Sequence, residues 1–253
     1  MRTNKNTLLL LLAMTASLGV KADGISVNRI ENPYVQPLEH EIAYQLLDLN
    51  YDNNRVGSQI HQFEYGHALN DRWLLEFEVL GQDQQGQQNQ GIRVQAYEVA
   101  AKYQLTEQGE FSNDWGLQFE VEKLHDEDTW GVGVTLIGLR EFGRFVATVN
   151  LGVEAEFGRD IEDEIESSLG AQLKYRVSPK FEPAVEIFRN QAGTFIGPSA
   201  LGQVRFSGNM KLYWDLGWLF GINNESSEDG FAGPIIDSVP ERVVKLSLEY
   251  EFY

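Results

Sequence analysis

Glutamates recur two residues apart along this chain: Glu76 and Glu78, Glu120 and Glu122, Glu154 and Glu156, Glu249 and Glu251. In an extended strand, residues i and i+2 point to the same side, so each pair puts two carboxylates on one face. The same count adds Glu41, Glu64, Glu98, Glu166, Glu182, Glu186 and Asp215 to those faces. The bases that share them are Lys102, Lys174, Arg176, Arg205, Lys211 and Lys245, and six bases cannot neutralise fifteen acids. A surface of this kind attracts cations and repels anions, while some of its charges pair and stiffen the wall that carries them.

Other chemistries are poorly served. Hydrolysis by a hydroxyl nucleophile needs a histidine within hydrogen-bond reach. The histidines are His40, His61, His67 and His125, and Ser58 stands three residues from His61, hence on the opposite strand face. The clusters His125 to Asp128 and Asp160 to Glu164 gather oxygen ligands for Ca²⁺ or Mg²⁺. They lack the spaced ligands and glycine of an EF-hand and read as solvated loops. The absence of cysteine excludes a thiolate metal site, a cysteine nucleophile and a disulfide scaffold. No pattern asks for a cofactor or a resident metal. With 38 acidic and 20 basic residues, the net charge of −18 excludes a nucleic-acid partner.

The elements that must position these carboxylates are strands. Strict apolar/polar alternation recurs, as in Trp73-Leu75-Phe77-Val79, Trp115-Leu117-Phe119-Val121, Leu212-Trp214-Leu216-Trp218-Phe220 and Val244-Leu246-Leu248-Tyr250-Phe252. No stretch of comparable length has a helical period, and no apolar run reaches the roughly 18 residues of a membrane helix. Twelve strands are predicted, over residues 39–51, 56–69, 72–82, 92–105, 114–124, 129–140, 144–157, 164–177, 180–190, 200–208, 210–222 and 241–253. Connections after even-numbered strands are mostly tight, such as Asn70-Asp71 and Gly208-Asn209. Those after odd-numbered strands are mostly longer and polar, such as the tract Gln82 to Gln90 and residues 223–240.

The N-terminus carries the marks of export. Arg2 and Lys5 precede the apolar run Leu8 to Met14, and Val20-Lys21-Ala22 supplies the small residues of a cleavage site. The expected organisation is a signal peptide over 1–22, then residues 23–38 as a periplasmic segment or a lumen plug, then a barrel over 39–253. In a soluble barrel the apolar face points inward; in an outer-membrane barrel it meets lipid and the polar face lines the lumen. Aromatics near strand ends (Trp73, Trp115, Trp130, Tyr175, Phe181, Phe220, Phe252) and long strands favour the second arrangement.

The terminal segment Lys245 to Tyr253 resembles the C-terminal strand of bacterial outer-membrane β-barrels, which ends in an aromatic that the assembly machinery reads; Tyr250, Phe252 and Tyr253 occupy that signal here. The segment Phe63-Glu64-Tyr65-Gly66-His67-Ala68-Leu69-Asn70-Asp71-Arg72-Trp73 is similar to a hairpin in the family named after the meta-pathway of phenol degradation, exported barrels to which transport is ascribed. The resemblances imply a bacterial outer-membrane location, with membrane lipid, lipopolysaccharide and the barrel assembly machinery as partners. The inward face is charged and poor in aromatics, so a phenolic solute is not carried over.

The fold expected is all-β: a 12-stranded antiparallel up-and-down transmembrane barrel with short periplasmic turns and long extracellular loops. Its expected lumen lining is Glu76, Glu78, Glu98, Lys102, Glu120, Glu122, Glu154, Lys174, Arg176, Glu186, Asp215 and Glu249. The expected function is a narrow, cation-preferring channel or transporter for small solutes, not an enzyme. The alternatives are a non-conducting structural or adhesion barrel that presents its loops and, behind it, a lipid-modifying enzyme.

Overall fold

The computed structural model describes residues 27–51, 57–84, 91–191, 193–206, 208–222 and 240–253. The expected leader, most of the polar tract 82–90 and most of the loop 223–240 lie outside the described residues. Twelve strands follow in order: β1 (His40–Asn50), β2 (Ser58–Ala68), β3 (Trp73–Gln84), β4 (Arg93–Gln104), β5 (Asp114–Leu124), β6 (Thr129–Phe142), β7 (Phe145–Gly158), β8 (Glu164–Tyr175), β9 (Glu182–Arg189), β10 (Thr194–Arg205), β11 (Lys211–Ile222) and β12 (Arg242–Phe252). Each pairs antiparallel with its successor, and β12 pairs back onto β1, so the sheet closes and no edge is left to aggregate. Apart from the eight-residue β9, the strands have 11 to 14 residues. That meets the roughly 9–11 a tilted spanning strand requires.

Burial settles which face is which. Inward-facing Glu76, Glu186 and Lys245 are at most 1% exposed, while outward-facing Phe63, Phe77, Leu151, Leu216 and Phe220 are 48% to 52% exposed. A soluble barrel has the reverse order, so this outer wall fits hydrocarbon and not water. Aromatics ring the end that carries the short turns: Trp73 lies 4.6 Å from Tyr103, Phe145 lies 5.0 Å from Tyr175, and Phe252 stacks on His40 at 5.4 Å. Amphipathic rings suit that depth, where apolar and polar surroundings meet.

The tight turns follow from their residues. Gly143, with φ 66°, makes the two-residue link from β6 to β7, and Gly208, with φ 80°, turns β10 into β11. Between β2 and β3 the Asn70 side chain accepts from the Arg72 and Trp73 amides.

The tenth strand departs from expectation. It runs over Thr194–Arg205, where the sequence predicts 200–208. Gly197 and Pro198 read as loop residues, yet both lie in the strand and pair with Glu186 and Val185 of β9. Proline has no N–H, and the pairing with β11 skips from Ile196↔Phe220 to Ser199↔Gly217. The register is the same on both sides of the gap, so the strand tolerates the lost hydrogen bonds without a bulge.

The barrel is not hollow. Residues 27–38 run through the lumen, from Val27 at the loop end to the exposed turn at Pro37-Leu38. Val27 packs into an inward apolar cluster with Leu47, Leu49, Phe188, Phe195, Leu219 and Val243, joined by Ile30 and Ile60. Val35 packs on Ala68 and Leu74 near the turn end. Burying a valine is worth about 1.5–3 kcal/mol, so each site anchors the segment appreciably.

Candidate functional site: the barrel lumen

Alternation places the carboxylates on one face, and the strand register then arranges them. Residues that pair across β12, β1 and onward to β8 form two adjacent rows round the wall. One row runs Glu251, Glu41, Gly66, Glu76, Ala100, Glu120, Gly133, Glu154, Glu166. The other runs Glu249, Ala43, Glu64, Glu78, Glu98, Glu122, Gly131, Glu156, Glu164. Between the acids stand glycines and alanines, which leave the carboxylates room. A Cβ added at Gly66 would come within 2.5 Å of Glu41 Cγ, and one at Gly131 would meet Glu154 Oε1.

One part of this wall is paired with the inserted segment. Arg29 donates from Nε to Glu31 at 2.7 Å, from Nη1 to Glu249 at 2.9 Å and from Nη2 to Glu64 at 3.1 Å. Lys102 of β4 reaches Glu31 at 2.7 Å and Glu76 at 3.2 Å. The segment's backbone is clamped as well: the Glu31 amide donates to Asn150 Oδ1 at 2.8 Å, and Asn150 Nδ2 donates to the Glu31 carbonyl at 3.0 Å. Further down, Tyr34 donates to Asp114 at 2.6 Å and the Val35 amide to Gln104 at 2.7 Å. Pro33 lies against Gly116, where an added Cβ would be 3.0 Å from the Pro33 Cα.

A second charge cluster lies on β9, β11 and β12. Lys245 sits 2.7 Å from both Glu186 and Asp215, and Glu186 also accepts from Gln172 at 2.8 Å. Near the turn end, Lys174 pairs with Glu182 at 3.0 Å and Lys211 with Glu251 at 2.6 Å. Glu39, just ahead of β1, is pushed up to about 8 by burial and by the charge and hydrogen bond of Glu251.

A third part has no bases. Among the described residues, no ion pair reaches Glu98, Glu120, Glu122, Glu154 or Glu156. All five are half-buried, with water access that Glu76 and Glu186 lack. The lumen is thus two-sided at the loop end, apolar on β1 and β9 to β12, acidic on β4, β5 and β7.

The structure places the predicted lining residues as follows. Glu76, Glu78, Glu98, Lys102, Glu120, Glu122, Glu154, Lys174, Glu186, Asp215 and Glu249 stand on the inward face of their strands. Arg176 does not. The strand predicted to residue 177 ends at Tyr175, where the Arg176 amide turns to the Arg144 carbonyl. Its guanidinium forks onto Glu141 at the turn-end rim, at 2.5 and 2.7 Å. Tyr250 and Phe252 stack on each other at 5.8 Å, and the Tyr253 hydroxyl donates to Gln36 at 2.7 Å, beside the inserted segment's exit.

Arg29 and Glu31 are the lumen residues that periodicity misses, whereas alternation already puts Asn150 on the polar face of its strand. Arg29 and Glu31 lie outside any strand, where alternation carries no information; the only signal is the surplus of acid, which demands a base from elsewhere. Two of the outer-wall histidines pair with tyrosines: His61 Nδ1 is 2.8 Å from the Tyr44 hydroxyl and His40 Nδ1 is 2.9 Å from that of Tyr65. Ser58 instead accepts from Gln82 on the inner face, at 2.8 Å. In the loops, Asp128 pairs with Arg159, and its amide donates to Asp160 at 2.6 Å, so the two acidic clusters tie to each other.

No protein-family model matches the chain, and no curated protein matches its sequence. Solved structures match its shape. The COG4313 outer membrane channel from Pseudomonas putida F1 has a TM-score of 0.57 at 13% identity, covering 89% of this chain and 98% of that one. The beta domain of the Bordetella autotransporter Brka scores 0.51 at 12%, covering 85% and 99%. The KdgM porin scores 0.50 at 13%, covering 84% and 98%. At such identities the likeness is one of fold, and the fold is that of the bacterial outer-membrane β-barrels.

Proposed function

We propose that the protein is an outer-membrane channel for small cations, and that its conducting path follows the acidic wall of β4, β5 and β7. The observation that carries this reading is the group Glu98, Glu120, Glu122, Glu154 and Glu156, half-buried and reached by no ion pair among the described residues. Rings of carboxylates in a narrow polar lumen raise the local concentration of cations and exclude anions. Twelve strands lie between the eight that side chains fill and the sixteen or so that leave a wide pore, which favours a narrow passage. The structural neighbours include proteins described as a channel and a porin, which supports the same reading.

A closed, non-conducting barrel is the second reading, favoured by the packing of Val27 and Ile30 into the lumen's apolar cluster. Planar-bilayer recording across a salt gradient separates the two, using the full chain and a variant lacking residues 27–38. Discrete steps with a cation-selective reversal potential in the full chain support the channel. Steps only after the deletion assign the segment as its gate. Silence in both variants assigns the barrel to the second reading.

A further inference from the structure

Five carboxylates, from Glu31, Glu41, Glu64, Glu76 and Glu249, converge on two bases, Arg29 and Lys102. One oxygen from each of Glu41, Glu64 and Glu76 lies within 4.8 Å of the others, and all three residues are buried. Glu41 is 4% exposed, its Oε1 has no hydrogen-bond partner, and Gly66 leaves the space into which it reaches. A buried carboxylate oxygen without a donor is costly, so the cage holds less positive charge and fewer donors than it is built to accept.

The group that fills it is part of no strand. Arg29 hangs from the inserted segment, and three of its nitrogens each donate to a different glutamate at 2.7 to 3.1 Å. That is the donor pattern of a planar guanidinium, which offers five N–H groups in a fixed fork. A bare divalent ion would need carboxylate oxygens at about 2.3–2.6 Å, in the space the guanidinium now occupies. Beside Arg29, between Gln45, Gln62, Glu64 and Ser247, is a void of about 10 Å³. It has room for a water molecule and not for a hydrated cation.

Resting on the cation-channel reading, we propose that this cage is a binding site for small organic cations bearing a guanidinium group, and that Arg29 is the chain's own stand-in for that ligand. An incoming guanidinium takes the place of Arg29 at Glu31, Glu64 and Glu249, and the segment loses one of the contacts that hold its middle. The exchange conserves charge in the cage, so it proceeds without burying a new unpaired ion.

Folded full-chain protein and its Arg29→Ala variant, both in detergent, are titrated calorimetrically with methylguanidinium, with tetramethylammonium and Ca²⁺ as comparisons. The expected result is saturable methylguanidinium binding to R29A, about tenfold or more weaker in the unchanged chain, where the tethered group competes. Adding Glu64→Gln to R29A is expected to weaken it about tenfold again. If R29A folds poorly, millimolar methylguanidinium is expected to restore its folded fraction on a heat-modifiability gel, and tetramethylammonium is not. Saturation by Ca²⁺ instead, equal effects of both organic cations, or no binding and no rescue each overturn the proposal. Potassium conductance of R29A is recorded separately. Cation-selective current without methylguanidinium binding removes the cage and leaves the channel, and binding without current does the opposite.

Discussion

Lys245 shows how a single charge is made indispensable. It is fully buried, 2.7 Å from Glu186 and 2.7 Å from Asp215, with the Phe188 ring 5.3 Å from its Nζ. Lys245→Met leaves two buried carboxylates facing each other and is expected to destabilise the barrel by about 3–5 kcal/mol. Adding Glu186→Gln and Asp215→Asn is expected to recover most of that loss, because the harm lies in the unpaired charge. The urea midpoint followed by tryptophan fluorescence checks both. Glu39 gives a pH dependence at the turn end. Its pKa, raised to about 8 by burial and Glu251, means the folded state holds a proton that the unfolded chain gives up near its ordinary value of 4.5. Its contribution is fully present below that value and is lost as pH rises toward 8. Glu39→Gln is therefore expected to reduce the fall in melting temperature between pH 5 and pH 8, and an unchanged profile would refute the assignment. Lys245, Glu186 and Asp215 were legible as inward-facing from alternation alone. Which acid each base meets was not, because partners such as Glu186 and Lys245 come from strands remote in sequence.

At the level of elements, the register turns a pattern of faces into a pattern of rows. Period 2 states that Glu122 and Glu156 point inward; only the pairing of both with Gly131 brings them level on either side of β6. The glycines matter for that reason. Gly131→Val would crowd the Glu154 carboxylate that occupies the space above it. It is expected to lower single-channel conductance severalfold, with less effect on stability, since a glutamate can swing into open lumen. The turn at Pro37-Leu38 is the other element under constraint. Leu38 has φ 65° and its side chain is 76% exposed, so a left-handed backbone is held by a residue that gains nothing from burial. Leu38→Gly is expected to stabilise the folded protein by up to about 1 kcal/mol, with no change in lumen charge. An unaltered or lowered midpoint would mean that the turn is not strained. The strands were readable because their outward positions are apolar and most of their inward positions polar. β10 was misread where Gly197 and Pro198 interrupt that code, since loop chemistry and a strand deprived of an N–H look alike in sequence.

Across the whole molecule, the lumen is divided by what the inserted segment covers. Arg29 of the segment and Lys102 of the wall pair with the acids beside it, and its Val27 fills the apolar side. That division could not be read from composition, because the segment has no period and could as well have hung below the barrel. What remains uncovered is the wall bearing Glu98, Glu122 and Glu156, which alternation had already marked as acidic. The triple change Glu98→Gln, Glu122→Gln, Glu156→Gln keeps side-chain size and removes charge only from that wall. If cations pass there, the reversal potential across a salt gradient is expected to shift strongly toward zero while the barrel still forms. Stability is expected to hold or rise by about 1 kcal/mol, because like charges in partial burial repel. The matched change at a paired position, Glu182→Gln, removes one acid whose field Lys174 already cancels at 3.0 Å and is expected to leave the reversal potential nearly unaltered. A shift from Glu182→Gln of about one third of the triple variant's would mean that total charge sets selectivity. A shift from the triple variant alone places the path along β4, β5 and β7.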